Sequence, residues 1–240
     1  LSTVPHTAMI LAAGLGTRMR PLTDTTAKPL LEVAAKRLMD WQLDPLIEAG
    51  VKRLVVNTHW HADQIEAHAR GIGGVEVIFS DEREQVLETG GALAKAAPFL
   101  GKDPTFVVNT DAFWSPCDGE PLVTLADAYF PSKMDEILLL ADKERCLGFG
   151  GAGDFFLESG GAISHRGDAA EAPWAYAGLR IVNPALYAAQ PVEPFSAFRI
   201  WSDLLPNKRM HGVPLDRFWL HVGDPQALKD AEFWLKCFGK

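Results

Sequence analysis

Residues 8–31 read AMILAAGLGTRMRPLTDTTAKPLL. The run 8–13 is short and wholly apolar, and Gly14 stops it. That is the pattern of a strand covered on both faces, as in a parallel sheet. The turn that follows, Gly14-Leu15-Gly16-Thr17-Arg18, contains two glycines whose missing Cβ atoms let main-chain N–H groups approach an anion. Arg18 and Lys28 then supply two cations, with nine residues between them. Such a loop, at the carboxyl end of the first strand of an α/β sheet, lies where these sheets bind ligands. Position 19 is Met, so a dinucleotide G-x-G-x-x-G is not formed, and no G-K-[ST] marks a P-loop.

Outward from this segment the chain alternates. Apolar runs at 53–57, 75–79, 105–109 and 136–141 predict buried strands. The stretches 38–49, 61–69 and 89–97 carry apolar residues on a helical period. Pro45 is expected to kink or shorten the first of these helices. Strands alternating with helices predict an α/β fold: a Rossmann-like, mainly parallel sheet flanked by helices. After about residue 115 the character changes. Short strands at 155–157, 161–164, 176–182 and 218–222, joined by glycine-rich links, predict a small mixed-strand lobe added to the edge of that sheet. Asp224 as N-cap, Pro225 behind it, and Leu228, Ala231, Leu235 and Phe238 on one stripe predict a closing helix. We read residues 1–240 as a single domain with two halves, about 1–115 and about 116–240.

Composition narrows the function. A formal charge of -8 over 240 residues argues against a broad nucleic-acid face. No run approaches the ~20 apolar residues of a membrane helix. The start of the sequence lacks the basic region of a signal peptide. Cys117, Cys146 and Cys237 are far apart and form neither a disulfide framework nor a zinc ribbon, which fits a cytoplasmic protein.

Gly14-x-Gly16-Thr17-Arg18, nine residues, then Lys28-Pro29 resembles the signature of the sugar-1-phosphate nucleotidyltransferase family. The resemblance continues in family order through Leu87-Glu88-Thr89-Gly90-Gly91-Ala92, Val107-Val108-Asn109-Thr110-Asp111, Tyr176-Ala177-Gly178 with Asn183-Pro184, and Trp219-Leu220-His221-Val222-Gly223-Asp224. It implies transfer of a nucleotidyl group from a nucleoside triphosphate to a sugar 1-phosphate, with release of pyrophosphate. By the same resemblance Arg18, Lys28 and Asp111 carry the catalysis. Leu11, Ala12, Ala13, Gly14, Gly16, Thr17, Arg18, Lys28, Glu88, Thr89, Gly90 and Gly91 hold the nucleotide. Glu88, Asn109, Asp154 and Gly178 line the sugar pocket, and Asp111 holds Mg²⁺, for which Mn²⁺ can substitute. Two departures stand out: Thr110 replaces a usual Gly, and His221 replaces a usual second Asp. With imidazole a poor magnesium ligand, the ion rests on Asp111, phosphates and water, or Asp224 moves in, or His221 serves with Mn²⁺.

This chemistry needs no nucleophilic side chain. A phosphate monoester is already largely a dianion near neutrality, so the demands are positioning and positive charge. Length, and the Gly150-Gly151-Ala152-Gly153-Asp154-Phe155 stretch, look most like the N-acetylmuramate 1-phosphate uridylyltransferases of cell-wall recycling, with UTP as donor. The mannose-1-phosphate guanylyltransferases are the nearest alternative. A non-catalytic sugar-nucleotide-binding regulator would be compatible with the loss at His221, although Arg18 and Lys28 are both kept. His59-Trp60-His61-Ala62-Asp63-Gln64 evokes the zinc motif of metallo-β-lactamase-fold hydrolases, but its last His is Gln64 and it leaves residues 11–31 without a role.

Overall fold

The computed structural model describes residues 4–115 and 121–239. Its centre is a nine-stranded sheet. Thr105–Asn109, Thr7–Leu11, Arg53–Thr58 and Glu76–Asp81 run parallel in that spatial order. The apolar runs arise because alternate residues face two separate cores. Ala8, Ile10, Leu54, Val56, Phe106 and Val108 face one, while Met9, Val55 and Val107 face the other. The helices Asp40–Glu48, Ala62–Arg70 and Glu88–Leu100 cover these faces. Pro45 is accommodated inside the first of them, which ends three residues later.

The second half extends the sheet. Trp174–Val182 lies antiparallel to Thr105–Asn109 on one side and to Glu136–Asp142 on the other. Met210–Pro214 joins Glu136–Asp142, and the Phe155–Leu157 and Ile163–His165 hairpin closes the other path. The strand expected at 218–222 does not join this sheet. Trp219–His221 pairs instead with Ala112–Trp114 and Cys146–Leu147 in a separate three-stranded sheet. The reason is a third apolar cluster, in which Phe113, Leu220 and Val222 pack with Met19, Val33, Leu38, Ala231 and Leu235. The closing helix, Pro225–Phe238, thereby clamps the small sheet onto the loop that carries Arg18. Asp224 caps that helix, accepting from the N–H groups of Gln226 and Ala227, both at 2.9 Å.

One polar cluster is sealed inside. Arg180 and Glu136 are 1% and 0% exposed, with Arg180 Nε 3.4 Å from Glu136 Oε2. Tyr187 Oη donates to Glu136 Oε1, and Trp201 Nε1 donates to Oε2 at 2.9 Å. The guanidinium also lies 5.3 Å from the Trp201 ring centre and 5.7 Å from that of Tyr176. Burial pushes the Tyr176 phenol up to about 12. Cys146 and Cys237 are free thiols, and Cys117 lies outside the described residues. Among the described residues no helix is long and apolar enough to cross a membrane.

Candidate active site

A cleft of about 430 Å³ opens at the carboxyl ends of the parallel strands. It gathers Leu11, Ala12, Ala13, Gly14, Gly16, Thr17, Arg18, Lys28, Glu88, Thr89, Asn109 and Asp111 from the residues singled out in the sequence. The loop after the first strand forms one wall. Gly16 has φ 62°, and a Cβ there would lie 2.9 Å from Thr23 Cγ2 and 3.1 Å from Lys28 Cβ, so only glycine fits. Gly14 is different: a Cβ would meet nothing within 4 Å. The main-chain N–H groups of Ala13 through Thr17 donate to no acceptor among the described residues. Five open donors on one turn make a concave site for an anion.

Charge converges on the same place. Lys28 Nζ donates to Asp111 Oδ2 at 2.9 Å. Burial pushes the Asp111 carboxyl up, but Lys28, His221 and Arg18 outweigh it and hold it below the usual carboxylate range. The Arg18 side chain is exposed and has no ion-pair or hydrogen-bond partner among the described residues. His221 Nδ1 is 3.1 Å from the Gly148 carbonyl, which can only accept, so Nδ1 donates to it. Its Nε2 then faces Asp111 Oδ2 at 4.0 Å. Thr110 fits where the resembling signature has glycine because its φ is negative and its hydroxyl donates to the Leu11 carbonyl at 3.0 Å.

Five other expected site residues, Gly90, Gly91, Asp154, Asp224 and Gly178, do not line the cleft. Gly90 and Gly91 are buried, and both N–H groups donate to the Phe195 carbonyl, at 2.8 and 3.1 Å. Their small size serves packing: a Cβ on Gly91 would lie 2.0 Å from the Glu193 carbonyl oxygen. Alanine at a helical glycine ordinarily stabilises by ~1 kcal/mol, but overpacking against fixed backbone costs about 1–3 kcal/mol or more. Gly91→Ala is therefore expected to lower the melting temperature, and calorimetry checks the sign. Asp154 does not line the cleft; its carboxylate accepts from the Tyr176 N–H at 2.9 Å. Asp224 is engaged as a helix cap. Gly178, with φ 89°, sits where the register of Trp174–Val182 slips, 3.3 Å by its notional Cβ from Asn109 Cβ. Asn109 Oδ1 is buried without a hydrogen-bond partner.

The cleft also includes Asn57, Glu82, Val86, Thr110 and Gly223. Glu82 carried no motif, whereas Gly223 lies in the Trp219–Asp224 segment already singled out; a polar residue closing an apolar strand, as at Asn57 and Asn109, was the available signal. The zinc alternative is not assembled. His59 Nδ1 and His61 Nε2 face the carbonyls of Glu82 and Thr23, and Asp63 pairs with Arg83. Among the described residues no group of three His, Cys, Asp or Glu side chains is placed to hold a metal.

The Nucleotidyl transferase family model matches residues 7–152. Over 97% of its length the chain is 44% identical to the N-acetylmuramate alpha-1-phosphate uridylyltransferase of Caulobacter vibrioides, covering 98% of that protein. It is 30% identical to the mannose-1-phosphate guanylyltransferase catalytic subunit beta of Drosophila melanogaster, over 91% of this chain and 60% of that one. The fold superposes on the inositol-1-phosphate CTP transferase from T. maritima with a TM-score of 0.78 at 16% identity, covering 98% and 97% of the two chains. With its glycine turn lying inside the matched segment, this chain belongs to the nucleotidyl transferase family.

Proposed function

We propose that the protein transfers a uridylyl group from UTP to N-acetylmuramate α-1-phosphate and releases pyrophosphate. The observation that carries the reaction class is the convergence of five unpartnered N–H groups, a free Arg18 and the Lys28–Asp111 pair on one cleft. The choice of substrates rests on the 44% identity, which spans both chains almost completely. The guanylyltransferase reading is weaker, because the identity is lower and the chain spans only 60% of that relative.

In this reading the phosphate dianion of the sugar attacks the α-phosphorus of the triphosphate. An O–P bond forms, the α–β bridging bond breaks, and pyrophosphate leaves with the electron pair. The N–H groups of residues 14–17 hold the phosphate chain. Arg18, at the exposed mouth, offsets the charge that grows on the leaving group. Lys28, between the loop and Asp111, offsets the repulsion between the two reacting phosphates. Asn109, with Glu88 in the same cleft, offers the sugar polar contacts.

Asp111 is the residue that would hold a divalent ion. One carboxylate with phosphate oxygens and water suits Mg²⁺, so the donor set fits, and Mn²⁺ would also be accepted there. When bound, the ion supplies further positive charge at the phosphate oxygens. His221, 4.0 Å from Asp111, borders that position; Asp224, tied to its helix, does not contribute. The protein is expected to work in the cytoplasm.

Pyrophosphate release tests the reading. We expect turnover with UTP and N-acetylmuramate 1-phosphate, in Mg²⁺, to exceed that with GTP and mannose 1-phosphate by at least about 100-fold in kcat/KM, the scale on which a hydrogen-bonding site discriminates. Release with the second pair alone would keep the mechanism and replace the substrates. No release with any pair would favour a binding role.

A further inference from the structure

The cleft has two chemically different ends. Arg18, Lys28, Asp111 and the open N–H groups occupy one. The other is formed by Leu11, Ala12, Asn57, Glu82 and Val86, none of them a cation. The cations behind it are engaged elsewhere: Arg83 by Asp63, Glu66 and Asp81, and Lys95 by the Asp81 carbonyl. Phosphates gather at the first end, so a bound nucleotide must turn its base toward the second.

At that second end a chain of hydrogen bonds crosses three segments. The Ala12 N–H donates to Asn57 Oδ1 at 2.7 Å. Asn57 Nδ2 donates to Glu82 Oε1 at 2.9 Å. The Leu87 N–H donates to Glu82 Oε2 at 3.0 Å. Ala12, Asn57, Glu82 and Leu87 are each at most 5% exposed. The direction of this chain is forced. Two main-chain N–H groups stand at its ends and can only donate. An ionised carboxylate accepts at both oxygens and so can meet two donors at once. Asn57 must therefore present its oxygen to Ala12 and its nitrogen to Glu82. The next peptide carries an adjacent acceptor and donor, the Ala12 carbonyl and the Ala13 N–H, which have no partner among the described residues. Beyond Leu87, Glu88 opens its helix at φ 58°, a strained conformation for a side chain other than glycine's.

We propose that Glu82 and Asn57 are a positioning pair for the nucleobase, in which an acceptor-only carboxylate fixes the orientation of the Ala12 peptide and of the turn into Glu88. Resting on the nucleotidyl-transfer reading for the identity of the ligand, the pair acts through the backbone it holds. Burial pushes the Glu82 carboxyl up, and its two N–H donors oppose that. A neutral side chain at 82 would have to place a hydrogen against one of those donors. If Asn57 turned over to relieve the conflict, its own NH₂ group would face the Ala12 N–H.

The test exploits that polarity. Glu82→Gln leaves one donor facing a donor. The double variant Glu82→Gln with Asn57→Asp restores every bond. Its amide at position 82 accepts from the Leu87 N–H and donates to the new carboxylate at position 57, which accepts from the Ala12 N–H. We expect Glu82→Gln to raise KM for UTP about tenfold or more, the size of one unmet buried hydrogen bond. KM for the sugar phosphate should stay within about twofold, and the double variant should recover most of the loss. Amide exchange at Ala12 and Leu87 should accelerate in the single variant and slow again in the double. Equal KM changes for both substrates, no change for UTP, or no recovery in the double variant would overturn the proposal. If the wild type neither binds nor turns over UTP, the functional reading fails, and amide exchange alone decides: unaltered exchange at Ala12 in Glu82→Gln would overturn the pairing.

Discussion

Lys28→Ala is expected to lower kcat/KM for pyrophosphate release by about 10²–10³-fold, the loss typical of one preorganised charge or donor at a transition state. Lys28 is only 12% exposed and is held 2.9 Å from Asp111. It needs no reorganisation when the phosphates meet, and its charge acts in a part of the cleft walled from water. Its removal has a second effect. The largest influence holding Asp111 below the usual carboxylate range, against burial, is Lys28. In the variant Asp111 should therefore take a proton at a higher pH than in the wild type, so that divalent-ion binding weakens sooner as the solution is acidified. Thermal stability should change little by comparison. A steady-state assay of the folded variant, with melting temperature as the control, checks this. Wild-type kcat/KM in Lys28→Ala would remove Lys28 from the mechanism.

Glu136→Leu carries the largest expected cost in stability. It would leave the guanidinium of Arg180, 1% exposed, without its carboxylate. Removing one partner of a buried pair costs about 3–5 kcal/mol, which in a chain of this size shifts the melting temperature by roughly 6–20 °C. The aromatic rings of Trp201 and Tyr176 beside the guanidinium offset only part of that. Tyr187 and Trp201 would each also lose the acceptor they donate to. Replacing both charges, Glu136→Leu with Arg180→Met, should be far milder than Glu136→Leu alone, since neither charge is then buried unpaired. Calorimetry of the two variants separates a cost of unpaired charge from a cost of altered shape. If the double variant is as unstable as the single one, shape is the cause.

The parallel half of the fold was legible because its three inner strands are buried on both faces. Residues 53–57 and 105–109 are apolar with a polar residue at the end, and each strand falls within one residue of its run. The glycine turn was legible for a related reason: Gly16 is a position that the backbone and Thr23 together reserve for glycine. Trp219–His221 was not placed, because its partners at 112–114 and 146–147 are too short to show a period, and the cluster that decides its sheet is made by tertiary packing. Gly90 and Gly91 were legible as glycines but not as packing glycines: the carbonyls they accommodate belong to residues about a hundred positions away. Glu82 was silent for the same reason. A buried carboxylate is identified by its donors, and those come from Asn57 and Leu87.

Trp174–Val182 is bonded along one edge to Thr105–Asn109 and along the other to Glu136–Asp142. The consequence concerns folding autonomy. A chain cut between its two halves would leave Thr105–Asn109, apolar on both faces, as an open edge on one fragment, and Trp174–Val182 with one edge unpaired on the other. Unpaired edges of that kind recruit other strands. The elements on the two sides of the cleft are therefore expected to fold as one unit, neither of them free-standing, so that a change of substrate preference is best sought in side chains and loops around a sheet that stays whole.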